Sequence, residues 1–311
     1  MKFLITGDLH LRGSSPENRI DDFFEAQLNK MEQIFKLATE NKCEMILCPG
    51  DVFDNPRPSF DVLEYYIKLF KKYNTNCDGG IQFLTVWGQH DQRFRTRDRT
   101  ALKLMDSLGY MKTVDGYTSL DSMYGIDLYG CSYGDEILIP KHDDLFNILL
   151  IHKTILDKQK WIGQEDYLLS DKVFKKYPYD LIISGDWHHP VFYQYKEQTI
   201  LNCGCLVRKT VAEADLTPHI YILDINEEDL TYSLNKIELE YESANKVFRE
   251  EALNRETVKE NAKLQEFIES IKNKSIIKNL DFKKNLETMM RSSDKKVKDI
   301  ILNSLEEINE L

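Results

Sequence analysis

Short apolar runs alternate along the first half of the chain with longer segments of helical spacing. "KFLIT" (2–6), "EMILC" (44–48), "IQFLTVW" (81–87), "FNILLI" (146–151) and "LIIS" (181–184) are rich in β-branched and aromatic residues and read as strands. Between the first two, Ile20, Phe23, Phe24, Leu28, Met31, Ile34, Phe35 and Ala38 recur at intervals of three and four, which predicts an amphipathic helix over 18–41. A second helix is predicted over 59–73, capped by Ser59 and striped by Leu63, Tyr66, Ile67 and Phe70. Strand runs that are continuously apolar are buried on both faces, so this part is read as α/β with parallel strands. The segments "GIDLYGCS", "VFYQYKEQTILNC" and "HIYILDINEEDLTYSLNKIEL" alternate instead and are joined by short polar turns, which predicts antiparallel strands and hairpins.

Beyond about residue 240 the strand pattern stops. Residues 246–272 are helical in pattern and heavily charged, and Val297, Ile300, Ile301, Leu305 and Ile308 form one apolar stripe after a cap at Ser293 or Asp294. The expected organisation is a domain over 1–240 followed by a short helical appendage over 241–311. No apolar run approaches the ~18 residues of a membrane span, and the N-terminus has no secretory pattern, so a cytoplasmic protein is expected. The six cysteines (Cys43, Cys48, Cys77, Cys131, Cys203, Cys205) form no paired C-x-x-C set and are read as buried small hydrophobes. Net charge is −11, and the tail is neutral with 14 basic and 14 acidic residues, so the body carries the whole deficit. A body so acidic binds a polyanion only through bound cations, a local basic strip or a partner.

Each of the five apolar strands stops at a polar cluster: Asp8-x-His10, Gly50-Asp51-x-x-Asp54, Gly88-Gln89-His90-Asp91, His152, and Gly185-Asp186-x-His188. Carboxyl ends of parallel strands share one edge, where such sheets bind ligands, so the clusters converge. Taken singly, a D-x-H is more often a turn, and a lone histidine at a strand end is commonly a satisfied core residue. Five such clusters together point to a ligand. Asp8, Asp51 and Asp186 repel one another on one edge unless cations sit among them.

In that order the motifs resemble the signature of the calcineurin-like metallophosphoesterases, across about residues 1–210. "GDVFDNPRPS" (50–59), Pro190 and "NCGCLVRK" (202–209) are similar to the SbcD-type DNA-repair nucleases. The resemblance implies a sandwich of mixed sheets flanked by helices and a hydrolase that uses two divalent metal ions. By it, Asp8, His10, Asp51 and His188 hold one ion, and Asp51, Gln89, His152 and Asp186 the other. His90 acts on the leaving group with Asp91 orienting it, and Asp54 completes the catalytic set. Two positions depart from the family pattern: Gln89 stands for asparagine and Asp186 for histidine, a harder oxygen set that favours Mn²⁺ or Mg²⁺. Arg93, Arg95, Arg97 and Arg99, with Phe94 interleaved, form a basic strip that Arg57 and Arg208 extend, and the expected ligand is the DNA backbone. The alternative is a solvated loop whose arginines pair with local acids. The resemblance further implies an SbcC-type coiled-coil ATPase as partner, and a homodimer. A small-molecule or phosphoprotein phosphoesterase, and a weakly active scaffold subunit, stay open as alternatives.

Overall fold

The computed structural model describes residues 1–73, 80–94, 96–121, 125–159 and 166–255. Its strands, in chain order, are β1 (Lys2–Ile5), β2 (Met45–Cys48), β3 (Gln82–Thr85), β4 (Lys112–Thr113), β5 (Gly116–Asp121), β6 (Ile126–Cys131), β7 (Phe146–Ile151), β8 (Ile155–Leu156), β9 (Leu168–Leu169), β10 (Leu181–Ser184), β11 (Val191–Tyr195), β12 (Gln198–Asn202), β13 (His219–Ile225) and β14 (Tyr232–Glu238). The helices are α1 (Phe23–Glu40), α2 (Phe60–Lys72), α3 (Ala101–Ser107), α4 (Ser170–Lys176) and α5 (Ala244–Val247).

The strands form two six-stranded sheets, ordered β14-β13-β1-β2-β3-β4 and β11-β12-β10-β7-β6-β5, with β8 and β9 paired apart. In the first sheet β1, β2, β3 and the edge strand β4 run parallel while β13 and β14 pair antiparallel, and in the second the four middle strands are parallel with antiparallel β11 and β5 at the edges. The five apolar runs therefore do not lie in one sheet: β1, β2 and β3 belong to the first, β7 and β10 to the second. Alternation along the strands decides the layering, because successive side chains leave opposite faces. Phe3, Ile5, Leu47 and Leu84 of the first sheet pack against Leu128, Ile148, Leu150 and Ile183 of the second. Leu4, Ile46 and Phe83, one residue out of phase, meet the apolar stripes of α1, α2 and α3. Tyr129, Leu149, Ile182 and Ile200 on the far face of the second sheet meet Val173 of α4. Helices, sheet, sheet and helix make four layers, in which both sheets bury both faces.

Local signals hold where they are strong. Ser59 caps α2, its hydroxyl accepting from Val62 N, and α1 begins after Asp22, whose carboxylate accepts from Glu25 N at 3.0 Å. Ile20, placed on the predicted α1 stripe, precedes that cap and is 57% exposed. The segment "GIDLYGCS" pairs antiparallel with β5 as expected, but on its other side β6 runs parallel to β7 and is buried throughout. Both later hairpins, β11/β12 and β13/β14, form antiparallel pairs. Cys43, Cys48, Cys131, Cys203 and Cys205 are buried free thiols, and Cys77 lies outside the described residues. Among the described residues no helix is long and apolar enough to cross a membrane.

By its contacts the chain divides into Met1–Arg249 and Glu250–Leu311. Residues 239–249, which follow β14, belong to the first unit: Phe248 is fully buried, and Arg249 N donates to Asn18 O at 2.9 Å. Residues 256–311, which include the 297–308 stripe, lie outside the described residues.

Tyr66 of α2 is buried against Phe24 and Phe53, and its hydroxyl has no partner among the described residues. An unpaired buried hydroxyl costs about 1–3 kcal/mol. Tyr66→Phe is expected to stabilise the protein by about 1 kcal/mol and raise the melting temperature by ~2–4 °C, read by thermal unfolding. A lower melting temperature would show that the hydroxyl is satisfied.

Candidate metal centre

The loops that leave β1, β2, β3, β7 and β10 meet at one end of the sandwich. They approach more closely than side chains allow: a Cβ on Gly7 would lie 1.8 Å from Gly204 O, and one on Gly88 2.0 Å from Asp51 Oδ1. Three non-glycine residues here adopt left-handed backbone: His10 (φ 46°), Asp51 (φ 47°) and Asp186 (φ 71°). Such conformations cost about 1–3 kcal/mol each and persist only where the surroundings impose them. Asp8 N donates to Gly204 O, His10 N to Asp51 O at 2.8 Å, and Asp186 N to Asp8 Oδ2 at 2.9 Å, so the loop after β1 is tied to those after β2, β10 and β12.

Within this frame the side chains converge. Asp8, His10 and His188; His10, Asp51 and His90; and Asp8, Asp51 and His152 form three overlapping groups whose ligand atoms lie within 4.8 Å of one another. Asp51 Oδ2 is 3.4 Å from His152 Nε2 and 3.6 Å from His10 Nε2, while its Oδ1 accepts from His90 N at 2.8 Å. Asp8, His10, Asp51 and His152 are almost wholly inaccessible to solvent.

Three of the four imidazoles are hydrogen-bonded from behind. His152 Nδ1 donates to Pro49 O at 2.8 Å and His90 Nδ1 to Asp54 O at 2.9 Å. His188 Nδ1 pairs with Glu213 Oε1 at 3.0 Å, and His10 Nδ1 lies 3.4 Å from Asp54 Oδ1. Carbonyl and carboxylate oxygens only accept, so each bonded ring carries a proton on Nδ1 and turns Nε2 inward, where it offers a lone pair whenever the ring is neutral. His10 Nε2 and His188 Nε2 then face each other at 3.0 Å. Two lone pairs at that distance repel unless a cation or proton lies between them. Asp8 Oδ1, Asp51 Oδ2 and His152 Nε2 are likewise buried with no hydrogen-bond partner among the described residues. Buried polar atoms are normally paired, so these orphans suit a divalent cation, and the carboxylate–histidine and carbonyl–histidine pairs are the usual outer supports of metal ligands.

The electrostatics of the bare cluster agree. Burial, reinforced by the Asp51 charge, lifts the Asp8 carboxyl to about 7. At His152 burial works against the imidazolium, but Asp51, Asp8 and Asp186 outweigh it and raise the ring to about 10. His10 is brought down to about 4, chiefly by burial. Without cations the cluster thus holds protons on donors that a metal requires bare.

A calcineurin-like phosphoesterase family model matches residues 1–190, and all five strand-end clusters fall inside that match. The chain belongs to the calcineurin-like phosphoesterases. Among curated proteins of known role it is 24% identical over 273 residues to the double-strand break repair protein MRE11 of Encephalitozoon cuniculi, covering 73% of this chain and 46% of that protein. It is 23% identical over 150 residues to the double-strand break repair protein mre-11 of Caenorhabditis elegans, covering 39% and 20%. The chain thus spans less than half the length of either relative. Among solved structures, an archaeal phosphodiesterase superposes with a TM-score of 0.42 at 17% identity, over 77% of this chain and 100% of that one.

Against the calcineurin-like pattern, the two departing residues stand together. The Asp186 carboxylate accepts from Thr154 Oγ1 at 2.6 Å and from Gln89 Nε2 at 3.4 Å, and it belongs to none of the three close groups. Asp91 is placed differently from the expectation that it orients His90. Its buried oxygens accept from Phe53 N, Val52 N and Gly88 N at 2.9, 3.2 and 3.1 Å, tying the β2 and β3 loops together. The His90 ring is oriented by the Asp54 carbonyl, while the Asp54 carboxylate pairs with Arg12 at 2.9 Å and Lys209 at 3.1 Å. His189 packs its ring on Trp187.

Glu213 escaped the sequence reading. It closes a three-residue 3₁₀ turn, Val211–Glu213, in which Thr210 and Glu213 form a capping box, so the T-x-x-E spacing was the available signal. Its Oε2 accepts from Lys209 N and Thr210 N while Oε1 holds His188.

The arginine strip is divided. Arg97 forms ion pairs with Asp115 and Asp135 at 2.8 and 2.7 Å, the local-acid alternative. Arg208 is 4% exposed; its guanidinium donates to the carbonyls of Ala214 and Glu242 and stacks on Tyr241, a buried clamp and not part of a surface strip. Arg93 and Thr96 exchange backbone hydrogen bonds at 2.9 Å, and Phe94 between them is 90% exposed with the Arg93 guanidinium 5.3 Å from its ring centroid. Arg57 and Arg99 are exposed and linked by a bond from Arg57 Nε to Arg99 O. Arg95 lies outside the described residues. Beside the cluster a cleft of about 760 Å³ is lined by Gln92, Arg97, Tyr133 and Lys153, with the Tyr133 ring 6.4 Å from that of His152.

Proposed function

We propose that the chain is a two-metal phosphodiesterase acting on DNA, the nuclease subunit of a break-repair or recombination complex. The observation that carries the reading is the set of buried, partnerless donors, with His90, His152 and His188 each held at Nδ1 and turned inward at Nε2. Asp8, His10, Asp51 and His188 hold the first ion; Asp51, Gln89, His152 and Asp186 hold the second. A bound divalent pair supplies an acidified water as nucleophile and neutralises the phosphoryl oxygens. Asp51 spans both sets. His90, anchored through Nδ1 to Asp54 O, keeps Nε2 for the leaving oxygen, to which the imidazolium gives a proton. Asp54 fixes the orientation of both His90 and His10, through its carbonyl and its carboxylate. The oxygen donors at Gln89 and Asp186 favour Mn²⁺, with Mg²⁺ next.

DNA as substrate is supported by the two break-repair relatives and by the exposed Arg57 and Arg99 and the half-buried Arg93, with Phe94 among them, a local basic strip in an acidic body. An SbcC-type ATPase and a second copy of the chain are the partners proposed by family likeness, with residues 241–311 as the proposed ATPase contact. The test is purified protein with Mn²⁺ on linear and circular DNA and on a chromogenic phosphodiester, beside its Asp51→Asn variant. Degradation of DNA by the wild type supports the reading. Hydrolysis of the chromogenic ester alone replaces DNA with a small substrate, and silence on both leaves a scaffold.

Metal affinity follows pH with a definite sign. Asp8, raised to about 7, and His152, raised to about 10, are protonated in the bare site and must release protons to bind an ion. Mn²⁺ affinity is expected to rise as pH increases from 6 to 8, with proton release read from calorimetry in buffers of different ionisation enthalpy. Affinity flat across that range would remove these donors from the site.

A further inference from the structure

We propose that Thr154 is a positioning residue of the second ion's site, and that Gln89, Asp186 and Thr154 act as a matched set that makes that site distinct from the first. The inference rests on the two-ion reading above and adds a residue it does not use. Thr154 is buried at the exit of β7, two residues beyond His152, and its hydroxyl donates to Asp186 Oδ2 at 2.6 Å. Gln89 Nε2 lies 3.4 Å from Asp186 Oδ1. A carboxylate only accepts, so the Gln89 amide presents its NH₂ there and leaves Oε1 as the acceptor for a cation. Asp186 N donates to Asp8 Oδ2 in left-handed backbone, which fixes where the carboxylate starts. Both oxygens and the main chain of Asp186 are thereby assigned, and the side chain has one orientation.

The two departures from the family pattern also compensate in length. Aspartate is shorter than the histidine it replaces and glutamine is longer than asparagine, so the longer amide reaches the shorter acid. Each carboxylate oxygen has two lone pairs, and each one that accepts a hydrogen bond keeps another for a metal. Asp186 is thus held as a ligand without being consumed, whereas an unheld aspartate would swing toward water. At the first site the corresponding supports are Glu213 behind His188 and Asp54 beside His10, whereas the Thr154 hydroxyl bonds to Asp186. Removing the Thr154 hydroxyl should therefore affect one binding step and spare the other.

The test is a Mn²⁺ titration of the full chain, by calorimetry and by electron paramagnetic resonance of free Mn²⁺. Loss of an outer support of a metal ligand typically costs ~10–100-fold in affinity. In Thr154→Val, which keeps the shape and removes the hydroxyl, the second step is expected to weaken by that factor with the first unchanged. Thr154→Ser should return it to near the wild-type value. Val equal to wild type, or both steps weakened together without rescue by Ser, overturns the inference while leaving two-ion binding standing. A single step in the wild type overturns the two-ion reading and this inference with it.

Discussion

Asp51→Asn is expected to abolish phosphodiester hydrolysis and the stabilisation of the protein by Mn²⁺ while the fold remains. Asp51 Oδ2 approaches both His10 and His152, at 3.6 and 3.4 Å, and Asp51 is the residue shared by both proposed ligand sets. An amide keeps the size and one acceptor but loses the anion that balances two cations. Loss of several kcal/mol of charge stabilisation corresponds to at least about a 10³-fold fall in rate. Ligand linkage gives a readout apart from turnover: at about 100 times the dissociation constant, Mn²⁺ should stabilise the wild type by about 2.7 kcal/mol and the variant by far less. Far-UV circular dichroism should be unchanged. Equal Mn²⁺ stabilisation of both proteins would place the ions elsewhere.

His90→Ala is expected to separate chemistry from metal binding. The ring lies beside His10 at 4.9 Å between centroids, close to the cluster, but its Nδ1 is committed to a backbone carbonyl and it is only half-buried. A positioned general acid contributes about 10²- to 10⁴-fold, so turnover should fall by that range with Mn²⁺ affinity within about twofold of wild type. The loss should shrink on a phosphodiester whose leaving group needs no proton. A loss of equal size on both kinds of substrate would make His90 a structural residue.

The strand-end motifs were readable from sequence because they are local. A strand followed by glycine and a carboxylate or imidazole carries its meaning in four or five residues, and Asp8, His10, Asp51, His152 and His188 converge as those motifs require. Two levels were not readable. Division into two sheets depends on which strands pair across long separations: β1 pairs with β13, and β10 with β12, and neither choice is encoded in the strand's own pattern. The outer supports of the site are equally non-local. Glu213 reaches His188 from 25 residues away through a capping turn, and Pro49 O and Asp54 O act through the main chain, where residue identity says nothing. Arg208 shows the converse. Its position in "LVRK" suggested a surface cation, but the segment before α5 covers it with the Glu242 carbonyl and the Tyr241 ring, and burial is decided by that later chain. Asp91 carried the right motif and the wrong partner, because the three backbone donors of the neighbouring loops reach its oxygens.

Anomalous diffraction from crystals grown with Mn²⁺ tests the central claim most directly. Two peaks are predicted, one ligated by Asp8, His10, Asp51 and His188, the other by Asp51, Gln89, His152 and Asp186. A single peak, or peaks that leave Asp51 Oδ2 unligated, would contradict it.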